Sequence, residues 1–411
     1  MNTIKERAAA IAAAAQKLNS AVYNASNDHG KITEARTVAQ QHSPKLVSLE
    51  EAIKQSGLKD GMTISFHHHF RGGDKVVNLV VGKLAEMGFK NLHLAASSLL
   101  DTHEPLIEHI KNGVITQIST SGLRGELARQ ISLGLMENPV VFRSHGGRGA
   151  AIAKGELHID VAFLGASSSD PLGNACGYSR SENAQSICGS LGYALPDAEY
   201  ADKVVILTDD LVNYPNTPAS ISERYVDYVV QVDSVGDSSK IASGAIRDTK
   251  NPRDILLAKQ AAKVIEHSGY LTPGFSIQTG SGGASLAVVK YLRNAMVEQN
   301  IKASFALGGI TAHMVKLHEE GLIERLIDVQ SFDKVAAESL KNDAMHQEVS
   351  ACEYASPDEP GSAVHYLDIV ILSALEADVN FNVNVLVGSD GIIRGAIGCL
   401  LYTSPSPRDT R

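Results

Sequence analysis

The sequence predicts an α/β protein of two tandem domains with mixed, mostly parallel sheets, and three observations carry that expectation. The chain has 411 residues, which at about 100 to 200 residues per domain is enough for two or three domains that each bury a core of their own. Short β-rich runs alternate with stretches of helical period, the pattern of a sheet covered by helices. The order strand, glycines, helix recurs in both halves: Arg71-Gly72-Gly73 follows one strand and Gly280-Ser281-Gly282-Gly283 another. A duplicated α/β domain is the simplest account.

Residues 4–18 combine strong helix formers with few large apolar side chains, so residues 1–45 are expected to form a helical arm and linker. The first domain is expected over 46–237. In it Ser48 followed by Glu51 gives a capping box and Gly57 a stop, which together frame a short helix. MTISF (62–66) reads as the first strand, leading to a helix at 74–88. NLHLAAS, ITQIST, PVVFRS and DVAFLGAS follow as strands separated by helical segments. VVILTD (204–209) and YVVQVD (228–233) come without a full helix between them, which puts them at the sheet's edge or in a small added layer. The second domain is expected over 238–398. Asn251 before Pro252 marks the cap and first turn of its opening helix. FSIQTG, a glycine-rich loop, a helix at 284–298, ASFALGG and a further helix then echo the first half.

With 44% hydrophobic and 20% charged residues the composition is that of a soluble globular protein. Thirty-seven Lys+Arg against 46 Asp+Glu leave a net charge of −9, the wrong sign for a protein that neutralises nucleic-acid phosphates. Cys176, Cys188, Cys352 and Cys399 show no C-x-x-C spacing, and so few cysteines fit a reducing cytoplasm. No uncharged apolar run reaches about 18 residues, so neither an export signal nor a membrane span is expected.

FHHHFRGGD (66–74) places three histidines, Arg71, Gly72 and Gly73 at the carboxyl end of a strand, where open α/β sheets bind ligands. The glycines allow close backbone approach, and the helix start behind them favours an anion. Successive histidines on an extended chain point in alternating directions, and no matching cysteine or carboxylate cluster exists, so no metal is expected. TSGLRG (120–125) and SHGGRG (144–149) repeat the theme with Arg124, and with His145 and Arg148. Arginine grips a carboxylate through two parallel hydrogen bonds, which lysine does not match, and three arginines at equivalent strand ends suggest a multiply charged anion. QTGSGG (278–283) and LGGIT (307–311) offer backbone N–H groups for an oxyanion, with Gln278 beside them. Neither fits a dinucleotide fingerprint or a P-loop. Ser181-Glu182-Asn183 resembles the surroundings of the nucleophile in some thioester-exchanging enzymes, but it lies in a polar insert and is read as a loop coincidence.

At FHHHFRGGD, TSGLRG, SHGGRG, IDVAFLGASSSDPLGNACGY, CGSLGYA, GFSIQTGSGGASLAV, FALGGITAHMV and FNVNVLVGSDGIIRGA the sequence closely resembles the citrate lyase alpha subunit family, the citrate CoA-transferase subunits, from Leu46 to Gly398. The resemblance implies tandem CoA-transferase and ribose-phosphate-isomerase-like domains. It implies the exchange of acetate for citrate on a thioester, acetyl-carrier plus citrate giving citryl-carrier plus acetate. The thioester would be held by a CoA-like prosthetic thiol on an acyl carrier (gamma) subunit, with no cofactor covalently bound to this chain. A beta (lyase) subunit would cleave the citryl-carrier, in a cytoplasmic hetero-oligomer. Glutamate-using relatives carry their nucleophile in Gly-Ile-His-Thr-Glu-Met. The matching stretch here is Gly309 to Met314, with His313 in the glutamate's place, so transfer through a mixed anhydride without an enzyme thioester is expected. The expected reaction centre comprises Gly72, Gly73, Gly280, Gly282, Gly283 and His313, and the expected substrate contacts are Arg71, Arg124, His145, Arg148 and Gln278. The alternatives are a glutamate-dependent CoA-transferase and a non-catalytic regulator binding CoA or a sugar phosphate on the same fold. In the family SDGIIRGA runs into a Gly-Gly-His-x-Asp loop. Here CLLYTSPSPRDTR follows instead, so residues 399–411 are expected to be a non-native tail and the second domain to be incomplete.

Overall fold

The computed structural model describes residues 45–182, 184–242, 249–280, 282–380 and 382–396; the expected arm at 4–18 and tail at 399–411 lie outside the described residues. Helix α1 (Leu49–Ser56) opens as its sequence dictates: the Ser48 hydroxyl accepts the Glu51 amide, and Gly57 ends the helix in the left-handed region at φ 75°. There follow β1 (Thr63–Phe66), α2 (Val76–Glu86), β2 (Leu92–Ala96), α3 (Leu106–Lys111), β3 (Ile115–Thr120), α4 (Gly125–Ser132), β4 (Val141–Phe142), α5 (His145–Ala153) and β5 (Val161–Ala166). A small antiparallel ribbon, β6 (Ser168–Ser169) with β7 (Ala175–Cys176), precedes α6 (Leu195–Tyr200), β8 (Lys203–Thr208) and β9 (Tyr228–Gln231). The first sheet runs β4-β3-β2-β1-β5-β8-β9, and every neighbouring pair is parallel. All residues of β5 are buried, as a strand with helices on both faces requires. Only a short turn at Glu223–Tyr225 stands in the helix's place between β8 and β9, and β9 forms the sheet's edge, partly covered by Leu46 bridging to Val229.

The second half supplies α7 (Pro252–His267), β10 (Ser276–Thr279), α8 (Gly283–Glu298), β11 (Ala303–Ile310), α9 (Ala312–Glu319), β12 (Ile323–Ser331), α10 (Lys334–Asn342), β13 (His346–Glu348), α11 (Ala351–Ala355) and β14 (Ile369–Ile371). The Asn251 side chain accepts the Arg253 amide and Pro252 takes the first helical position of α7. The sheet order β13-β12-β11-β10-β14, again all parallel, repeats that of β4-β3-β2-β1-β5 position for position. That shared order is the duplication in three dimensions. Both main sheets are wholly parallel, and among the described residues antiparallel strand pairs occur only in the ribbons β6–β7 and β15 (Glu376–Ala377) with β16 (Val383–Asn384).

The two domains dock through glycines. A methyl on Gly146 of α5 would lie 1.7 Å from the Ala355 carbonyl oxygen on α11, and one on Gly192 would lie 2.2 Å from that of Val349. The Ser190 hydroxyl donates to the Asp328 carbonyl at 2.9 Å, and the Leu191 amide donates to the half-buried Glu348 carboxylate, whose pKa desolvation pushes up. After β16 a strap returns to the first domain, where the Leu123 amide donates to the Gly395 carbonyl at 3.0 Å and the Ile393 amide to the Ser132 hydroxyl at 2.9 Å. The strap needs Gly122, where a methyl would meet the Ala396 side chain at 2.8 Å.

Candidate active site

In an open parallel sheet a crevice forms where neighbouring strands send their connections in opposite directions. Here that point lies between β1 and β5 in the first domain and between β10 and β14 in the second. The chain leaving β1 turns tightly: the Arg71 amide donates to the His68 carbonyl at 2.9 Å and the Gly73 amide to the Phe70 carbonyl at 2.9 Å. Arg71 itself sits at φ 51°, a conformation uncommon outside glycine and found where surroundings enforce it.

The two switch points face one cavity of about 130 Å³. The first domain contributes His68, Arg71, Ser98, Arg124 and His145, the second Gln278, Gly280, Gln330 and Phe332, and the strap Ala396. Arg71 is buried, with its guanidinium 4.4 Å from the centre of the Phe332 ring. Arg124 precedes α4, its amide donating to the Leu99 carbonyl at 3.1 Å, and its side chain is exposed. Beside them the His68 ring lies 5.3 Å from Tyr193 and 5.4 Å from His145, which is itself 4.5 Å from Tyr193. His68 Nδ1 lies 2.6 Å from the Ser97 hydroxyl. Burial, then the neighbouring His145 and Arg71, hold the His68 pKa well below its ordinary value, so the ring is neutral.

The alternation expected of the three histidines is present: His68 turns to the cavity while the rings of His67 and His69 meet 3.7 Å apart elsewhere in the interior. Burial, followed by the nearby Arg148, lowers the His67 pKa to about 3, and burial drives His69 down as well.

The structure brings Arg71, Arg124, His145, Gln278 and Gly280 together and gives other expected residues different work. Arg148 does not line the cavity. Its forked contact goes to the wholly buried Asp197, with Nη1 and Nη2 each 2.7 Å from a carboxylate oxygen, and Nη2 also reaches the Ala95 carbonyl at 3.2 Å. Ser65 donates to the same carboxylate. Arg148 was expected to grip a substrate carboxylate; the carboxylate it holds is the internal Asp197. Gly73 is a packing glycine as well: a methyl there would lie 2.2 Å from the Asp237 carbonyl oxygen, and its amide is taken by Phe70. The Gly280 amide donates to the Ile371 carbonyl at 2.8 Å and so leaves the set of oxyanion donors. Gly282 caps α8 and Gly283 begins it; neither is in the cavity lining, and the α8 first-turn amides have no intrahelical acceptor. Gly72 sits half-buried within the turn Arg71–Gly73. His313 is the half-buried second residue of α9 and is outside the cavity lining, and Glu182 is exposed on its loop.

The sequence reasoning missed His68, Gln330, Phe332 and Ala396 as site residues. Gln330 is the last residue but one of β12 and Phe332 follows the strand, within DVQSFD, where neither glycine nor arginine flags them. Asking which residues leave the carboxyl end of each parallel strand would have found them. Ala396 gives no local signal, because it arrives by a return of the chain.

Duplicated parallel α/β domains with an arginine-bearing crevice between their switch points define a tandem-domain protein of the CoA-transferase-like class. A chain of a Pseudomonas malonate decarboxylase hetero-tetramer shows that fold at 15% identity, with a TM-score of 0.66 over 91% of this chain and 67% of that one. The family profile described as "Citrate lyase, alpha subunit (CitF)" matches residues 43–408. The citrate lyase alpha chain of Haemophilus influenzae is 63% identical over 351 residues, 85% of this chain and 69% of that protein. The alpha subunit of citrate lyase from Streptococcus mutans, solved in complex with citrate, is similar at 58% identity and a TM-score of 0.83, over 87% of this chain and 70% of that one. The chain belongs to the citrate lyase alpha subunit family.

Proposed function

We propose that this chain binds citrate in the interdomain cavity and exchanges acetate for citrate on a carrier thioester, as the citrate CoA-transferase subunit of a cytoplasmic citrate lyase with beta and acyl-carrier partners. The observation that carries this reading is the convergence of Arg71 and Arg124 from one domain with Gln278 from the other on a single cavity. The citrate held by the Streptococcus mutans relative supports it.

Two arginines offset the repulsion between a polyanionic acceptor and a second anionic reactant. The His68 ring beside them is held neutral by burial and so adds no charge of its own to the cavity wall. A citrate carboxylate attacks the acetyl carbonyl of the thioester, forming the mixed anhydride as the carbon–sulfur bond breaks. The citryl carbonyl of that anhydride is then attacked by the released thiolate, and acetate leaves. Each step passes through a tetrahedral oxyanion, for which one well-placed N–H donor is worth about 3 kcal/mol. The first-turn amides of α8 are such donors. Both nucleophiles are anionic already, so no catalytic triad is required.

Calorimetric titration of the chain with citrate tests the site. Arg71→Ala and Arg124→Ala should each weaken binding, and lysine at either position should restore it only partly because the fork is lost. Unchanged affinity in both alanine variants would remove the anion-site reading. Exchange of labelled acetate into the acyl-carrier thioester then separates a transferase from a non-catalytic regulator.

A further inference from the structure

We propose that Gln330 and Phe332 of the second domain are positioning residues that set the backbone and the guanidinium of Arg71 in the first. The functional consequence rests on the citrate reading above; the geometry does not.

The left-handed backbone of Arg71 needs an external hold, and the hold is visible. The His68 carbonyl accepts two hydrogen bonds, one from the Arg71 amide at 2.9 Å and one from Gln330 Nε2 at 2.7 Å, which uses both lone pairs of that oxygen. Gln330 is itself fixed, its amide donating to Asp328 Oδ1 at 2.8 Å. The Asp328 carboxylate is anchored in turn by the Ser331 hydroxyl at 2.6 Å and by His346 Nε2 at 3.2 Å. A continuous chain of buried polar contacts thus runs from β13 across the domain boundary to the turn that carries Arg71.

Phe332 sets the other end of the same residue. Its ring faces the Arg71 guanidinium at 4.4 Å, a cation–π contact made in a desolvated setting. The ring's own place is reserved by Gly309, where a methyl would lie 2.1 Å from it, and its amide donates to the Ile310 carbonyl at 2.8 Å. The glycine of LGGIT that looked like an oxyanion donor therefore makes room for the ring that aims an arginine. Anion affinity in the first domain depends on side chains of the second that act through Arg71.

The test has two arms. In the first, citrate affinity is measured by calorimetry for the chain and for Phe332→Leu, Phe332→Tyr, Gln330→Met and Gly309→Ala, with thermal unfolding alongside. Phe332→Leu, Gln330→Met and Gly309→Ala should each weaken binding about tenfold, the scale of a desolvated cation–π or charge-assisted contact. Phe332→Tyr, which keeps the ring, should lose less than Phe332→Leu, and none should weaken binding further in an Arg71→Ala background. Additive losses in that background would mean that these side chains touch the anion directly, and the proposal would be wrong. The second arm needs no citrate: modification of Arg71 by phenylglyoxal, mapped by mass spectrometry, should accelerate several-fold in Phe332→Leu and Gln330→Met. Unchanged rates in both would overturn the proposal whatever citrate does. A parent chain that fails to bind citrate refutes the proposed function alone and leaves the modification rates to decide this one.

Discussion

Arg148→Met removes both bonds that hold the Asp197 carboxylate and leaves that group, wholly buried, with only the Ser65 hydroxyl. Breaking one side of a buried pair costs about 3 to 5 kcal/mol, chiefly because the remaining charge is stranded. For a domain of this size each kcal/mol moves the midpoint by roughly 2 to 4 °C, so thermal unfolding followed by circular dichroism should shift down by about 10 °C. Replacing both partners, Arg148→Met with Asp197→Leu, should recover most of that loss, since a buried pair exchanged for apolar side chains of similar volume is often neutral. Measured at a temperature where the variant is folded, citrate affinity should stay within about twofold, 0.4 kcal/mol. An Arg148→Met chain that keeps its melting temperature and loses citrate would refute the internal role and return Arg148 to the substrate.

Three further outcomes are expected. The folded His67 binds its proton only near pH 3, against about 6.5 in the unfolded chain, so unfolded molecules take up more protons in between and stability falls as pH drops from 6.5 towards 3. His67 alone should cost about 2 kcal/mol at pH 5; His68 and His69 act in the same direction, while the raised Glu348 carboxyl partly opposes them. Urea midpoints that stay flat between pH 7.5 and 5 would contradict it. Gly146→Ala drives a methyl to 1.7 Å from the Ala355 oxygen and should force α5 and α11 apart, at about 1 to 3 kcal/mol for the overpacking. Faster proteolysis between the domains is the readout, and parent-like resistance the contrary result. Transfer should follow sequential kinetics, and parallel double-reciprocal lines or an acyl adduct on Glu182 or His313 would replace direct anhydride formation with a covalent enzyme intermediate.

The fold was legible because parallel strands buried on both faces read as short apolar runs and glycines punctuate their ends. Ser48, Gly57, Asn251 and Pro252 carry their boundaries in their own chemistry. The cavity lining was legible where one loop supplies both position and charge, as at Arg71 and Arg124. It was opaque where a residue's partner is distant in sequence. Nothing near Arg148 announces Asp197, and nothing near Gly146 announces Ala355. Glycine marks close approach equally well whether the approaching group is a ligand or another helix, and only tertiary structure tells the two apart.

Because every strand in both main sheets points the same way, the helices that follow them start at the same edges: α2, α4 and α5 around one crevice, α8, α9 and α10 around the other. Each contributes about half a positive charge at its start. The chain as a whole has a net charge of −9, whereas the charged side chains lining the cavity between the domains are Arg71 and Arg124. Helix starts and arginines of one sign gathered at the mouth between the domains favour the approach of an anion there.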